Sequence, residues 1–320
     1  MNYKPIIIVA GEPNSIFLEL FFKTYKKKKI KSPILLICSY NLLLLQMRKL
    51  NFSFKINLID INFDKFKLKK KQINLINVDY KTKKAFGNIS SKSNKYIEDC
   101  FNLAIKLLTS GVSNKFINGP ISKKYFLKNK YLGITEYLAK KTKCKKFAML
   151  IYNKKLSVVP ITTHLPIKLV SKQLSKREII NKIELVYYFY KNNLKKNPNI
   201  AVTGLNPHCE SIHKFNEDIK ILKPSINYLK NKKLNISGPF SADTIFLKNN
   251  RKKFDIIVGM YHDQVLTPMK TLYEYDAINI TIGLPFIRIS PDHGPNEKML
   301  GKNKSNPLSL VNAITFLDKF

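Results

Sequence analysis

The chain has 320 residues, enough to bury a substantial core and to divide into two lobes. Its longest apolar runs are far shorter than the ~18 to 20 residues of a membrane span, so we expect a soluble, cytoplasmic protein with no membrane partner. The formal net charge is +36, but nearly all of the positive charge is lysine spread along the whole chain. This spread favours a solvated basic surface over a dedicated nucleic-acid site.

Strand-like apolar runs and helical periodicities alternate along the chain, which predicts a layered α/β architecture. Residues 51–94 are rich in lysine and asparagine, and their weak alternation fits either a strand pair or a surface excursion. The strands predicted outside this region are 5–10, 33–38, 115–119, 147–152, 156–161, 199–204, 255–260 and 278–283.

Four helices are predicted from periodicity and end signals. The apolar residues of 96–108 fall on one helical face. Ser175 and the glutamate three residues later have capping-box spacing, which predicts a helix that begins after Ser175. The segment 217–229 has a helical period but contains Pro224, so we expect a kink or two short helices there. Residues 307–320 are predicted to form the last, amphipathic helix.

Four of the five histidines stand where a strand-like apolar run ends, namely His164, His208, His262 and His293. Because parallel strands present their carboxyl ends at one edge of a sheet, these histidines predict a ligand site at that edge. Imidazole is a good ligand for zinc, cobalt, nickel or iron, and three histidines with an open position are typical of catalytic metal sites. No local spacing supports the set, so separate structural histidines remain the alternative.

Other polar residues near strand ends suit an anionic ligand. Lys123 follows a predicted strand, although exposed lysines are common. Asp243 lies in an otherwise uncharged segment and could be a general base, a partner of a metal-bound histidine or a helix cap. Arg288 lies inside an apolar run, where either a bound anion or a structural salt bridge must compensate its charge. Lys270 and Asn279 are spaced so that the chain could return them to the same cleft.

Nine short sequence blocks run in order along nearly the whole chain. They are GEP (11–13), NGPISK (118–123), GITEYLA (133–139), TTHLP (162–166), GLNPH (204–208), GPFSADT (238–244), GMYHDQVLTPMK (259–270), NITIGLPFIRIS (279–290) and PDHG (291–294). TTHLP, GLNPH and MYHDQ together are highly specific. In these blocks the chain resembles the 4-hydroxythreonine-4-phosphate dehydrogenase family of vitamin B6 biosynthesis.

The resemblance implies a fold similar to that of the isocitrate and isopropylmalate dehydrogenases, with two α/β/α lobes around a cleft. It implies one catalytic unit over residues 1–320, with lobe boundaries that the sequence does not define. It also implies a homodimer whose active site is shared between the subunits. This fold lacks the usual glycine-rich dinucleotide fingerprint, so the missing GxGxxG motif is compatible with NAD.

The resemblance further implies roles for individual residues. A divalent metal, which could be zinc, magnesium or cobalt, would be bound by His164, His208 and His262. The phosphorylated substrate would be held by Thr135, Lys270, Asn279 and Arg288. The group that takes the proton of the alcohol remains open between Asp243 and Lys123, acting directly or through water.

The implied reaction is the oxidation of 4-phosphohydroxy-L-threonine by NAD or NADP to 2-amino-3-oxo-4-phosphooxybutanoate, which decarboxylates to 3-amino-2-oxopropyl phosphate. A metal that chelates the substrate's hydroxyl and neighbouring amine makes the alcohol more acidic, so that a hydride can leave its carbon for the nicotinamide. Contacts to the remote phosphate would hold the reacting carbon in position.

The chain departs from the family pattern in four places. Ile134 stands where the family usually has a histidine that contacts substrate, and isoleucine cannot make its hydrogen bonds. Residues 14–18 replace a glycine-rich turn, which predicts a loss of backbone freedom. The loop after His208 is one residue short, and residues 295–297 replace small residues. These changes bear on substrate orientation and cofactor affinity and leave the three metal-binding histidines intact.

Two other functions fit the same residues. The closer alternative is a dehydrogenase of a related four-carbon sugar-acid phosphate, such as threonate or erythronate 4-phosphate. Ile134 favours it, because the missing histidine could have contacted the amino-acid end of the substrate. The more distant alternative is a degenerate, non-catalytic protein that binds a phosphometabolite or, through its lysine excess, nucleic acid.

Overall fold

The computed structural model describes residues 3–27, 30–61, 67–128, 130–210, 215–291 and 294–320. The chain forms two compact units. Unit 1 consists of Met1–Lys143 and Leu284–Phe320, and unit 2 consists of Cys144–Gly283. Both units contain strands and helices, so the predicted α/β class is confirmed.

Each of the eight predicted strands is present, together with four others. The strands of the described residues are β1 (Ile6–Val9), β2 (Ile34–Cys38), β3 (Ile56–Leu58), β4 (Ile73–Asn77), β5 (Lys115–Asn118), β6 (Ala148–Tyr152), β7 (Ser157–Pro160), β8 (Ile200–Thr203), β9 (Ile236–Phe240), β10 (Ile256–Gly259), β11 (Ile278–Ile282) and β12 (Ile287–Pro291). Of the other four, β9 and β12 were not predicted, whereas β3 and β4 fall in the region 51–94, for which a strand pair was one of the two alternatives.

The predicted helices are also present, together with others that connect the strands. The helices of the described residues are α1 (Phe17–Lys27), α2 (Tyr40–Lys49), α3 (Asn94–Thr109), α4 (Ile134–Lys141), α5 (Val170–Gln173), α6 (Lys176–Asn193), α7 (Lys223–Asn231), α8 (Ala242–Ile245), α9 (Lys248–Arg251), α10 (His262–Tyr273) and α11 (Leu308–Leu317). As Pro224 predicted, the segment around it is divided, into a π-helical turn (Asp218–Leu222) and α7. Within the described residues, every helix is too short or too polar to cross a membrane.

Unit 1 is built on a fully parallel sheet in the order β3-β4-β2-β1-β5-β12. Its central strands β1 and β2 are buried at every residue, which is typical of parallel strands covered on both faces. The uncertain region 51–94 contributes β3 and β4, so the alternative of a strand pair is correct. At the edge of the sheet, β3 is short and leaves Leu58 exposed.

Unit 2 is built on a mixed sheet in the order β11-β6-β7-β10-β8-β9. The strands β7, β10, β8 and β9 are parallel to one another, whereas β6 is antiparallel to both β7 and β11. A buried apolar cluster that includes Met149, Val158, Ile257 and Val265 packs strands and α10 together. The four parallel strands therefore end at the same edge, and the segments that follow them meet there.

The N-terminus of α6 depends on the predicted cap at Ser175. The Ser175 Oγ accepts a hydrogen bond from the Glu178 N–H at 3.2 Å, which satisfies one of the backbone donors that a helix leaves free at its start.

Ser175→Ala removes this acceptor and should destabilise the protein. We expect the free energy of unfolding to fall by about 1 kcal/mol, the usual contribution of an N-cap serine. Urea denaturation followed by far-UV circular dichroism measures the change. Ser175→Asp keeps an acceptor and should retain the wild-type midpoint, so an equal loss in both variants would contradict the capping role.

Candidate active site

Three histidines follow three neighbouring parallel strands of unit 2. His164 comes after β7, His208 comes after β8, and His262 begins α10 directly after β10. In the sheet β10 lies between β7 and β8 and pairs with both. The predicted arrangement of these residues at one sheet edge is therefore present. His293 lies outside the described residues.

The rings of His164 and His262 lie next to each other. Their centroids are 5.7 Å apart and their planes are inclined by 39°. The Nδ1 atom of His262 is 2.6 Å from Oδ1 of Asp263. When Nδ1 carries the proton of this hydrogen bond, Nε2 is left with the lone pair that a metal or a proton can take.

His208 lies on an exposed turn that hydrogen bonds to a buried aspartate hold in place. His208 and Cys209 both have left-handed backbone conformations, with φ of 54° and 62°, which are uncommon for residues other than glycine. The turn before them is held by the fully buried Asp218, whose carboxylate accepts the N–H of Leu205 at 2.8 Å and the N–H of Asn206 at 3.1 Å.

The imidazole nitrogens suit zinc or cobalt as ligands. The three predicted histidines, however, are not assembled into one cluster within a single chain. Across the described residues, no group of three or more His, Cys, Asp or Glu side chains is close enough together to hold a metal ion. The structure thus brings His164 and His262 together and places His208 at the end of the adjacent strand. Metal binding by all three remains a prediction.

Arg288 and Thr135, two predicted substrate-binding residues, contact each other in unit 1. Arg288 is fully buried in β12, where its Nη1 donates to the Thr135 hydroxyl at 3.2 Å and its Nε donates to Oδ1 of Asn118 at 2.7 Å. Burial lowers the pKa of Arg288, and the nearby carboxylate of Glu136 opposes this shift. Asn118 was not predicted, although it opens the NGPISK block at the end of the buried β5.

The remaining predicted residues lie in several elements. Lys123 is exposed in unit 1 and opens a π-helical turn after β5. In unit 2, Lys270 is half-buried in the last turn of α10, and Asn279 lies in β11 with an Oδ1 atom that is buried without a hydrogen-bond partner in the described residues.

Asp243 is exposed inside α8 after β9, and Ser241 is the cap, so the helix-cap alternative for Asp243 was wrong. Convergence of these residues on one cleft remains a prediction.

Two of the segments that depart from the family pattern contact each other in unit 1. The Ile16 N–H donates to the carbonyl of Pro295 at 3.1 Å. The side chain of Asn14 binds the loop at residues 87–88, accepting the Gly87 N–H at 2.8 Å and donating to the Asn88 carbonyl at 3.1 Å. None of the residues 14–18 has a left-handed backbone, so the loss of glycine causes no strain here.

Glu12 is a buried carboxyl group that the sequence analysis did not single out. It follows β1, and its oxygens accept hydrogen bonds from the Asn14 N–H and the Ser93 hydroxyl, each at 3.2 Å. Burial raises the pKa of Glu12, and the carboxylate of Glu297 raises it further. Its position in the GEP block, directly after a buried strand, was the available signal.

In both units, polar and ionisable side chains follow the carboxyl ends of parallel strands. This arrangement defines the class of α/β proteins that bind their ligands at strand ends. The isocitrate dehydrogenase of Methylococcus capsulatus has a related fold, with a TM-score of 0.51 at 9% identity over 98% of this chain and 84% of that chain. This likeness concerns the fold alone.

The chain belongs to the family of the pyridoxal phosphate biosynthetic protein PdxA, whose family model matches residues 29–317. It is 36% identical to the 4-hydroxythreonine-4-phosphate dehydrogenase of a Sulfurihydrogenibium species over 97% of this chain and 96% of that protein. It is 34% identical to the D-threonate 4-phosphate dehydrogenase of Pectobacterium atrosepticum over 71% of each chain. The crystal structure of the 4-hydroxythreonine-4-phosphate dehydrogenase of Klebsiella pneumoniae matches with a TM-score of 0.85 at 27% identity, over 98% of this chain and 97% of that chain. The family resemblance is confirmed.

Glu12→Gln replaces the buried carboxyl with a neutral amide of similar shape. Because the pKa of Glu12 is raised, the folded protein binds this proton more tightly than the unfolded chain does. The wild type therefore loses stability as the pH rises through the folded-state pKa, and the variant does not. We expect the melting temperature of the variant, relative to wild type, to increase as the pH rises above about 4, the usual pKa of a glutamate in an unfolded chain.

Thermal unfolding at a series of pH values measures this effect. Glu274→Gln changes an exposed carboxyl and serves as the control, with no comparable trend expected. A difference between Glu12→Gln and wild type that does not vary with pH would contradict the prediction.

Proposed function

We propose that this protein oxidises 4-phosphohydroxy-L-threonine with NAD or NADP to 2-amino-3-oxo-4-phosphooxybutanoate, which decarboxylates to 3-amino-2-oxopropyl phosphate in pyridoxal 5'-phosphate biosynthesis. Family membership supports this proposal, as does a relative named 4-hydroxythreonine-4-phosphate dehydrogenase that covers nearly the whole chain. The structural observation that carries it is the position of His164, His208 and His262 at the ends of three neighbouring parallel strands.

In this proposal, His164, His208 and His262 hold a divalent ion, which could be zinc, magnesium or cobalt, in a site completed by the second subunit of a homodimer. When bound, such an ion would supply Lewis-acid chemistry, making the substrate alcohol more acidic and favouring the decarboxylation that follows. The chain's own contribution begins with Asp263. By accepting a hydrogen bond at Nδ1 of His262, its carboxylate selects the tautomer that leaves Nε2 as the donor atom.

Binding of the phosphorylated substrate is assigned to Thr135, Lys270, Asn279 and Arg288, with Arg288 and Lys270 at its phosphate. The hydrogen bonds to Asn118 and Thr135 fix the guanidinium of Arg288 before any substrate arrives. A guanidinium stays charged near neutral pH even when burial lowers its pKa. The positive charge is therefore preorganised, and binding energy from the phosphate can position the reacting carbon.

The role of accepting the proton of the substrate alcohol is assigned to Asp243 or Lys123, acting directly or through water. Asp243 belongs to the same unit as the three histidines and follows β9, the neighbour of β8. Its carboxyl group is exposed and therefore accessible to a substrate or to water. These observations favour Asp243 over Lys123.

His208→Ala tests the assignment of the metal ligands. Because His208 is exposed, its truncation should leave the melting temperature of the metal-free protein unchanged while bound metal and NADH formation are both lost. Metal analysis and the absorbance of NADH measure the two losses. Glu210→Ala changes an exposed residue of the same loop and should keep both; full activity in His208→Ala would reject the ligand set.

A second candidate function is the oxidation of D-threonate 4-phosphate. One relative of this chain bears the name of that activity. In the structure Ile134 is the first residue of α4, directly before Thr135, and it offers no hydrogen bond at the position where the family has a substrate-contacting histidine. A substrate that lacks the amino group has less need of that contact.

The two functions are separated by comparing kcat/KM for the two phosphorylated acids. We expect 4-phosphohydroxy-L-threonine to be the better substrate, and the opposite order would select the second candidate. Ile134→His should raise kcat/KM for 4-phosphohydroxy-L-threonine by roughly tenfold, because it restores one hydrogen bond to a polar substrate group. Ile134→Phe, which is larger but makes no hydrogen bond, is the control. An equal response to both substitutions would show that size alone matters at this position.

A further inference from the structure

Gln264 connects the ends of β8 and β10. It is the third residue of α10, and its side-chain amide makes three hydrogen bonds. The Oε1 atom accepts from the Met260 N–H at 2.7 Å and from the Thr203 hydroxyl at 2.9 Å, and Nε2 donates to the Gly204 carbonyl at 2.8 Å. Gln264 therefore joins Met260, which follows β10, to Thr203 and Gly204 at the end of β8.

This side chain continues a strand pairing that the backbone has ended. The register of β8 with β10 runs from Ile200 and Ile256 to Val202 and Val258. Beyond these pairs the amide of Gln264 spans the two chains. A primary amide offers an N–H donor and a carbonyl acceptor, as a peptide group does, so it can replace a rung of the ladder. One side chain therefore bridges the two strand ends where their backbone pairing stops.

The hydrogen bonds extend to the third strand end through Met260. While the N–H of Met260 donates to Gln264, its carbonyl accepts the Thr162 hydroxyl at 2.8 Å and the Thr162 N–H at 3.1 Å. Thr162 follows β7 and lies two residues before His164. A continuous set of hydrogen bonds thus joins the ends of β7, β10 and β8, the three strands that precede the histidines.

The close approach of Gln264 requires Gly259. A Cβ atom at this position would lie 3.0 Å from Oε1 of Gln264 and 2.4 Å from Cγ1 of Val265. Any larger residue would push α10 or the amide away from the strand ends. The glycine at the end of β10 and the glutamine five residues later therefore work as a pair.

We propose that Gln264 is a positioning residue that sets the spacing of His164, His208 and His262 for a divalent ion. This inference rests on the proposed function, in which the three histidines are the metal ligands. Gln264 does not itself bind the ion, because its amide oxygen already accepts hydrogen bonds from Met260 and Thr203. The role needs a donor and an acceptor in one side chain, so leucine lacks both and ionised glutamate lacks the donor for Gly204.

The test is a titration of the full-length protein with Zn²⁺ after treatment with a chelator and dialysis. Isothermal titration calorimetry measures the affinity, and the visible absorption of bound Co²⁺ reports the ligand geometry. We expect Gln264→Leu to weaken Zn²⁺ binding by about 10- to 100-fold, the effect of removing a group that orients metal ligands, and to change the Co²⁺ spectrum. Gln264→Glu keeps the shape of the side chain and should show a smaller loss of affinity in the same direction.

Gln46 provides a matched control in unit 1. Its buried side chain donates to the carbonyls of Pro13 and Ala85, each at 2.9 Å, so Gln46→Leu removes a similar amide with similar backbone contacts. We expect this variant to lose melting temperature while Zn²⁺ affinity and the Co²⁺ spectrum stay at wild-type values.

The outcomes separate this role from the proposed function. Wild-type Zn²⁺ affinity in both Gln264 variants would overturn the positioning role and leave the metal site standing. Equal weakening in the Gln264 and Gln46 variants would show a general loss of stability and would also overturn it. If wild type bound neither Zn²⁺ nor Co²⁺, the metal site and the positioning role would both fail. Should Gln264→Leu not fold, Gln264→Glu alone decides the question.

Discussion

The candidate active site depends on the parallel pairing of β7, β10 and β8, because this pairing brings three distant chain segments to one sheet edge. His164, His208 and His262 each follow one of these strands, and no local contact would otherwise bring them to the same edge of the sheet. The pairing is held by buried apolar side chains on both faces of the sheet. Where the backbone hydrogen bonds between the strands end, polar side chains make the remaining hydrogen bonds between them. In this proposal apolar packing sets the direction of the strands, and these hydrogen bonds set the spacing of their ends.

Unit 1 shows how the same fold accommodates buried charge and local change in sequence. Arg288 and Glu12 are both buried, and each makes hydrogen bonds with neighbouring polar groups. The departures from the family pattern at residues 14–18 and 295–297 lie next to each other and are joined by the backbone hydrogen bond from Ile16 to Pro295. The many surface lysines contribute little to the stability of this unit. Ion pairs between exposed lysines and carboxylates are weak, and salt screens them.

The accuracy of the sequence-based predictions follows from how local each signal is. Long apolar runs identified eight strands, but β9 contains Gly238 and Pro239, which are signals for a turn, and β12 contains Arg288, which interrupts its apolar pattern. The histidines were identified because each follows a recognisable run. Gln264 and Asn118 were not, because each makes a hydrogen bond to a residue far away along the chain: Gln264 to Thr203 across 61 residues and Asn118 to Arg288 across 170.

By itself the sequence determined the α/β class, the family and the histidines as candidate ligands, because periodicity, turn residues and short motifs are all local. Only the tertiary structure decided that β10 lies between β7 and β8, and that Gln264, Asp218 and Thr162 hold the ends of these strands. Strand order and shared hydrogen bonds arise from the packing of segments that are remote in sequence. In the sequence, an amide or carboxylate residue that will be buried cannot be distinguished from an exposed one, because its hydrogen-bond partners come from distant segments.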